Sequence, residues 1–347
     1  PRMASLGRAL KALPMLLPTA FMIRAMAMTG PLAPVVEEAY SEGRYVLQNG
    51  THVPVLRTFF GVPVLDDAFA RIAISFGQLV FDDDPTIWWQ CLVFFADYAG
   101  LCAIWMLEFA LPLFVAQMIT LGITTPSYFY LFYVLSPLQK YSTASARQID
   151  SAGVLAVLPA LLVAFFVPHV VSLVHPDLQV RHWVNWIWQV FPVWGSILLF
   201  AFSTAIRPFL DERVETVQRR NKTAIRTIGG FMIGLSVMCY WSMILSSPLP
   251  VSEVLIPKYL IEAPESPLVA LHTIFQWDYI VSFTALLLWL AYHFADLKSA
   301  GICRLSWARI LITSAVIGCL GGPGALVMVG WITREELMAS AEHMKSI

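Results

Sequence analysis

Charged side chains are scarce in this chain of 347 residues, since Asp, Glu, Lys and Arg together make up only 13% of it. A soluble domain usually contains about 25% of such residues, so a soluble globular fold is disfavoured. The 22 basic and 23 acidic side chains nearly cancel, and the net charge of -1 provides no basic surface for a nucleic acid. Apolar residues make up 58% of the chain, which is typical of a protein that lies in a lipid bilayer.

Motifs for metals and cofactors are also missing. The five cysteines have no short paired spacing, so neither a disulfide framework nor a zinc site is indicated. The sequence contains no Gly-rich phosphate loop, no Gly-x-Ser-x-Gly nucleophile elbow and no Asp-Asp-x-x-Asp run that would hold magnesium on a prenyl diphosphate. We therefore expect no metal and no cofactor.

Long apolar segments predict an all-α integral membrane protein, a single bundle of about eight transmembrane helices with an N-terminal lumenal cap. The segments are Val64 to Phe81, Ile87 to Leu113, Gly122 to Leu138, Ala152 to Val174, Val184 to Ile206, Thr223 to Ser246, Leu268 to Phe294 and Ala308 to Trp331. The first and third are the weakest. Residues 1–63 are expected to form an interfacial segment and lumenal loop, 64–331 the membrane domain, and 332–347 a tail.

Basic residues near the ends of the segments predict the orientation. The loop from Arg207 to Lys222 carries five of them, which places it in the cytoplasm by the positive-inside rule. Counting alternately through eight spans then places both termini and the sequon at Asn49 in the lumen. These features predict a multi-pass protein of the endoplasmic reticulum.

Three acidic side chains lie within the apolar segments, where an ionisable group is costly and suggests function. Asp97 and Glu108 share one face of the second segment, because eleven residues make about three turns, or roughly 16 Å along the axis. Asp278 lies about halfway along the seventh segment. A hydrogen bond between neighbouring helices is the structural alternative for each of them.

Two further acids, Asp66 and Asp67, begin the first segment. They are consistent with a coupled pair that retains one proton, because adjacent carboxylates raise each other's proton affinity. They are equally consistent with negative charges that are favourable at a helix N-terminus. Both interpretations remain open.

The fifth segment is polar on one side, and tryptophan is abundant around it. Asn185, Gln189, Ser196 and Ser203 fall near a common line and either bind a polar substrate head or hydrogen-bond other helices. Tryptophan rings can stabilise a carbocation, although an interfacial or core position is the more common role of any single ring. Near the C-terminus, Gly321-Gly322-Pro323-Gly324 predicts a helix break whose freed backbone is buried in protein or lines a cavity.

Several of these segments together resemble a known family. They are Phe60 to Asp67, Asp97 to Glu108 with Ala103-Ile104-Trp105, Pro126 to Pro137, Leu158-Pro159-Ala160 and Trp186 to Trp194. The pattern from about Phe59 to Trp289 resembles the fungal membrane-bound terpene cyclases of meroterpenoid biosynthesis, in particular the ascochlorin, ascofuranone and macrophorin cyclases. The resemblance implies secondary metabolism and a cyclase that protonates a terminal epoxide or alkene on a farnesyl-type chain. It implies a prenylated aromatic or polyketide substrate, without diphosphate loss or a metal.

The candidate site residues follow from these two arguments together. Asp97 or Asp278 is expected to donate the initiating proton, with Glu108 as its electrostatic partner or as the proton-return group, and Asp66 and Asp67 are the remaining candidate acids. The expected substrate-binding residues are Trp105, Trp186, Trp188 and Trp277 as a cation-stabilising wall, and Asn185 and Gln189 at the polar head. The rival functions are a proton-coupled transporter or receptor and a non-catalytic membrane scaffold.

Overall fold

The computed structural model of the chain describes residues 2–47, 49–81, 84–108, 111–138, 150–211, 213–260 and 262–346. These residues are almost wholly helical. The helices are α1 Arg2–Ala12, α2 Leu17–Met26, α3 Leu32–Glu42, α4 Pro63–Phe81, α5 Pro85–Glu108, α6 Leu111–Ile119, α7 Leu121–Leu135, α8 Ser151–Leu161, α9 Val167–Val174, α10 Leu178–Gln189, α11 Phe191–Ile206, α12 Val214–Ser246, α13 Val251–Leu255, α14 Pro267–Ser299 and α15 Trp307–Ser346. The strands β1 Arg44–Val46 and β2 His52–Pro54 pair antiparallel. The predicted all-α fold is confirmed.

In the described part of the chain, six helices are long and apolar enough to cross a membrane. They are Leu6–Met26, Pro85–Glu108, Ser151–Val174, Thr216–Ser246, Pro267–Ser299 and Trp307–Ser340. A seventh span results if α10 and α11, which are bent by 67°, are one broken span. The prediction of about eight spans is therefore not confirmed. The two weakest predicted segments, Val64 to Phe81 and Gly122 to Leu138, are not among the six. The N-terminal helix Leu6–Met26 is one of the six, although it was not among the eight predicted segments.

Helix α5 lies at the centre of the bundle. The buried share of its most apolar stretch is 89%, against 28% to 56% in the other five candidate spans. It packs against α8, α12 and α15, and it contacts α14 through aromatic rings. This central position explains why α5 has apolar side chains on all sides and little amphipathic pattern.

Helices α5 and α14 run side by side in the same direction. The rings of Phe94 and Phe275 lie 4.8 Å apart, and Tyr279 Oη lies 2.6 Å from the carboxylate of Asp97. The two helices therefore begin on the same side of the bundle. Alternate counting through eight spans had placed their starts on opposite sides, and that prediction is corrected.

The error arises at α7, which extends along only half of α14. Gly122, at the start of α7, donates its backbone N–H to Asp278 in the middle of α14. Tyr133, near the end of α7, lies 3.1 Å from Asp296 in the last turns of α14. With 15 residues, α7 is about 22 Å long, too short to cross a bilayer whose core is about 30 Å thick.

The N-terminal helices run antiparallel to α14. Arg8 in α1 forms an ion pair of 2.6 Å with Asp296, and Phe21 in α2 stacks on Trp277, which precedes Asp296 by about five turns of α14. The beginning of α1 therefore lies at the same end as the Arg207 loop and not at the predicted lumenal end. Asn49 follows α2 and so remains at the opposite end, as predicted. Helix α15 continues to Ser346, and the predicted division of the chain at residue 331 stays a prediction.

Candidate functional site

The structure contains a break within α15, at the predicted Gly-Gly-Pro-Gly run. Gly322 has a φ of 81°, a conformation that favours glycine, and Pro323 follows it. Such a break frees backbone groups that need partners inside an apolar bundle. Trp241 Nε1 donates to the carbonyl of Leu320 at 2.7 Å, and Ser236 Oγ accepts the N–H of Ala325 at 3.0 Å. The freed backbone is thus buried and partnered.

Asp97 accepts hydrogen bonds from three helices at this break. Its Oδ2 accepts the N–H of Gly324 at 3.0 Å and the hydroxyl of Tyr279 at 2.6 Å, and its Oδ1 accepts the hydroxyl of Ser236 at 2.5 Å. The side chain is only 2% exposed. Gly324 also begins the second half of α15, so the positive end of that helix dipole faces the carboxylate.

Asp278 occupies the same kind of position in another broken element. It accepts the backbone N–H of Gly122, which lies two residues after Thr120. Thr120 has a φ of 136° and separates α6 from α7. Asp97 and Asp278 therefore each cap the N-terminus of a half-helix whose backbone would otherwise lie unpartnered in the bundle. The structural alternative, a helix-helix hydrogen bond, is what the structure contains for both acids.

Three donors point at the two oxygens of Asp97, and one lone pair of the carboxylate remains free. A group held in this way can accept a proton, orient its donors or clamp three helices together. No described contact supports the predicted role of Asp97 or Asp278 as the proton donor. That role stays a prediction.

Glu108 lies at the last residue of α5 and belongs to a different set of contacts. Its Oε1 is 3.9 Å from Nη1 of Arg334, which also pairs with Glu335. Glu108 and Asp97 share one face of α5, as predicted, but they have no partner in common among the described contacts. Its expected role as the partner of Asp97 stays a prediction.

Asp66, in the first turn of α4, binds the loop that precedes this helix. It accepts the backbone N–H groups of Phe59 at 2.9 Å and Phe60 at 2.6 Å. Burial acts to raise the pKa of Asp66, but these backbone hydrogen bonds act against it and the net pKa is lowered.

Asp67 points elsewhere, to the surface around α3. It forms an ion pair of 2.6 Å with Arg71, which also binds Glu37. Its pKa is lowered by hydrogen bonds to Arg71 and Tyr40, the bond to Arg71 being the stronger cause. Two neighbouring acids with lowered pKa values do not share a retained proton. The interpretation as a coupled pair is therefore corrected in favour of charges at a helix N-terminus.

The four predicted tryptophans do not form one wall. Trp186 stacks on Phe59 at 5.2 Å, and Trp105 stacks on Phe129 at 6.2 Å. Trp277 stacks on Phe21 near the surface, and its Nε1 donates to the carbonyl of Tyr259. Trp188 belongs to a fourth group. They are separated because they come from α5, α10 and α14, and each faces a different neighbour.

The polar stripe on the fifth predicted segment is likewise divided, by the bend between α10 and α11. Asn185 and Gln189 stay together on α10, where Asn185 Nδ2 donates to the carbonyl of Ala73 at 3.2 Å. On α11, Ser196 Oγ donates to the carbonyl of Pro192. Pro192 has no N–H to continue the helix of α10, so the serines rotate away from the line.

A largely buried aromatic group, the Trp188 cluster, lies at the centre of the bundle. It consists of Trp188 with Phe76, Phe95, His169, Phe165 and Phe191 around it, all with ring centroids within 5.8 Å of the indole. Phe275 joins it through Phe76 and Phe95. The rings come from six helices, α4, α5, α9, α10, α11 and α14, and from the segment between α8 and α9, which sequence periodicity cannot bring together.

Buried polar atoms without a partner lie on α5 and α10, the helices that contribute Phe95 and Trp188 to the Trp188 cluster. They are both amide atoms of Gln90, Nε1 of Trp188 and Oε1 of Gln189. Gln90 is fully buried on α5, five positions before Phe95. A buried polar group without a partner is destabilising, so these atoms are expected to meet a ligand or water. Gln189 was predicted as a site residue from the sequence, whereas Gln90 was not, because a polar residue in an apolar helix does not reveal its partner.

Comparisons with known proteins give the chain its family. Residues 12–339 match the CtvD domain. FAD-dependent monooxygenase verC1 of Penicillium polonicum is 26% identical over all of this chain and 44% of its own length. FAD-dependent monooxygenase anuJ of Penicillium roqueforti is 26% identical over 83% of this chain and 36% of its own length. FAD-dependent monooxygenase BOA8 of Botryotinia fuckeliana is 26% identical over 65% of this chain. No solved structure matches.

These findings correct the predicted function. The relatives are named FAD-dependent monooxygenases, so the terpene cyclase family, the cofactor-free cyclase activity and its classification as an isomerase are wrong. The transporter alternative is not supported either. The chain spans less than half of the length of each of these relatives. Because the match covers nearly its whole length, the chain belongs to the CtvD domain family.

Proposed function

We propose that this chain is the membrane-embedded, substrate-binding part of an enzyme system of the FAD-dependent monooxygenase type in fungal secondary metabolism. We further propose that the flavin is held outside the residues that the structure describes. The names of the relatives support the enzyme class. Their greater length supports a division of labour, since more than half of each relative lies beyond the part that matches this chain.

A flavin dinucleotide does not fit the described residues. Such a cofactor is usually held by a parallel sheet with a Gly-rich turn at a helix N-terminus. The described residues form a single antiparallel pair of three-residue strands. The Gly-rich break in α15 does begin a half-helix, but the N–H of Gly324 is taken by the carboxylate of Asp97, which would repel a phosphate. We therefore derive no flavin chemistry from this chain.

The observation that carries the proposal is the Trp188 cluster with its unpartnered polar atoms. Ligand sites are mostly apolar and aromatic, with a few placed polar groups. Rings from six helices and the unpartnered amide of Gln90 on α5 provide this combination inside a bundle of apolar helices. An apolar substrate with at least one polar group, entering from the bilayer, suits such a site.

Deletion of the gene in the producing fungus tests the proposal, with metabolites read by mass spectrometry under labelled oxygen. We expect an apolar compound to accumulate, and its content of labelled oxygen shows whether this chain is needed before or after oxygenation. An unchanged metabolite profile would contradict the proposal. The chain purified in detergent should show no flavin absorbance, and a retained flavin would contradict the second part.

The variant Gln90→Leu separates substrate binding from folding. Because the amide of Gln90 has no partner, replacing it with an apolar side chain should leave thermal stability unchanged or raise it. Complementation of the deletion strain by this variant should nevertheless be reduced. The matched control is Gln179→Leu, at an exposed position of α10, which should complement fully.

A further inference from the structure

A second group of unpartnered polar side chains lies near the other end of α5. This Trp289 cluster consists of Trp105, Phe129, Trp289, His293 and Arg334. Phe129 lies between the two indoles, 6.2 Å from Trp105 and 4.5 Å from Trp289 by ring centroids. His293 is 5.0 Å from Trp289, and Cζ of Arg334 is 5.5 Å from the same ring.

The unpartnered atoms of the Trp289 cluster are mainly donors. They are Nε1 of Trp105, Nε1 of Trp289, Nε of Arg334 and Nε2 of His293. All four side chains are at most 3% exposed. Indole and guanidinium nitrogens can only donate, and an imidazole nitrogen can donate in the appropriate tautomer. The cluster therefore lacks an acceptor, whereas around Asp97 the donors and the acceptor are already matched.

The charges next to the Trp289 cluster restrict the acceptor that would fit. Arg334 is the cation of the cluster, and it faces two carboxylates, those of Glu335 and Glu108. The carboxylates outnumber the guanidinium, so an anionic ligand would meet a net negative surrounding. A neutral oxygen acceptor on an apolar body is compatible with both the donors and the rings.

We propose that the Trp289 cluster binds the carbonyl oxygen of a neutral, apolar ligand of the ketone or lactone class. One or two of the donors bind the oxygen, and the rings of Phe129 and Trp289 cover the body of the ligand. The inference rests on the proposed function only for identifying this ligand as the substrate. Binding itself is a separate property of the site.

A pair of probes that differ in one oxygen tests the inference. Benzophenone carries a carbonyl acceptor, and diphenylmethane has the same two rings without it. Binding of each to the detergent-purified chain is measured by thermal shift, and benzophenone is also photo-cross-linked and mapped by mass spectrometry. We expect benzophenone to bind about three- to tenfold more tightly, the effect of one or two added hydrogen bonds, and its cross-links to lie in α7 and α14.

The variant Trp289→Phe keeps an aromatic ring but removes the donor, so the preference for benzophenone should fall by about threefold. Trp105→Phe provides the same measurement if the first variant does not fold. Trp183→Phe, at an exposed indole of α10, is the matched control and should keep the wild-type preference. Equal binding of the two probes to the wild type, an unchanged preference in both variants, or cross-links confined to the Trp188 cluster would overturn the inference.

These outcomes are distinguishable from failure of the proposed function. The binding experiment uses no flavin and no turnover, so a negative result leaves the metabolite experiment unaffected. An unchanged metabolite profile would in turn leave a measured carbonyl preference standing as a property of the site.

Discussion

The carboxylate of Asp97 accepts the backbone N–H of Gly324 at 3.0 Å, across 227 positions of the chain. The pair joins the central helix α5 to the break in α15, and the same relationship joins Asp278 to Gly122 at the start of α7. In both pairs the glycine leaves room for the acid, since a Cβ at Gly324 or Gly122 would overlap the carboxylate.

Substitution of Gly324 by alanine should destabilise the protein. The added Cβ would overlap the carboxyl group of Asp97, which is held by three donors and cannot move freely. We expect a loss of about 1–3 kcal/mol in the free energy of unfolding, as for other overpacked sites. Thermal unfolding in detergent measures it.

The matched control for that variant is Gly230→Ala in α12. No atom lies within 4 Å of a Cβ built there, and alanine favours a helix over glycine by about 0.5–1 kcal/mol. The control should be neutral or slightly stabilising. Equal stability of the two variants would contradict the close contact between Gly324 and Asp97.

Removal of the Asp97 carboxylate should cost more than removal of any one of its donors. Asp97→Ala leaves the N–H of Gly324 and the hydroxyl of Tyr279 without an acceptor and leaves Ser236 with only the carbonyl of Gly321, and we expect a loss above about 2 kcal/mol. Tyr279→Phe removes one hydrogen bond and should cost about 1 kcal/mol. The double variant should lose less stability than the sum of the two single losses, because both substitutions act on one network. Strict additivity would show that Tyr279 and Asp97 do not interact.

Acidification should loosen the loop before α4, whose amides bind Asp66. The pKa of Asp66 is lowered in the folded protein, so its contribution to stability is complete above the ordinary pKa of 3.8 and is lost as the pH falls through the folded value. The same sign holds for Asp67. The protection of the amides of Phe59 and Phe60 against hydrogen exchange, relative to the intrinsic exchange rate at each pH, should therefore fall below about pH 4.

The variant Asp66→Asn should remove most of that pH dependence and raise exchange at neutral pH. Glu42→Gln, at an exposed acid 3.6 Å from Arg44, is the control and should leave the exchange of these two amides unchanged. Retention of the full pH dependence in Asp66→Asn would assign it to another group.

The sequon at Asn49 should lie on the opposite side of the membrane from the loop after α11. The ion pair of Arg8 with Asp296 and the stacking of Phe21 on Trp277 determine the direction of the first span, and the chain then emerges at the far end. Synthesis in microsomes should give a glycosidase-sensitive product that Asn49→Gln abolishes. The sequon at Asn221 should stay unmodified. A glycan at Asn221 and none at Asn49 would show that the orientation is the opposite of the predicted one.

The sequence predicted features that depend on local composition. Scarce charge and long apolar segments indicated an all-α membrane bundle, and the Gly-Gly-Pro-Gly run indicated a buried helix break, because each is a property of neighbouring residues. The number of spans was less accurate. Segment length alone does not show that α7 begins in the middle of α14, or that the first helices pair with the end of α14.

The functional prediction failed for a related reason. A general likeness of apolar and aromatic segments is shared by many membrane enzymes, and it indicated a terpene cyclase where the family comparison gives the CtvD domain. The acids in the apolar segments were singled out as candidate site residues, and that role stays a prediction. Their partners, Gly324 and Gly122, lie 227 and 156 positions away, and no local pattern connects such residues.

By itself, the sequence determined that this chain is helical and apolar, that its few buried acids need partners, and that the last helix breaks at Gly322. Only the tertiary structure decided that Asp97 and Asp278 cap half-helices, and that the tryptophans divide among separate clusters. It also placed unpartnered donors around Trp289 and an unpartnered amide at Gln90. The physical reason is that a hydrogen bond or ring contact between distant segments depends on how the helices pack, whereas helix formation and burial in an apolar phase depend on the residues close by in the chain.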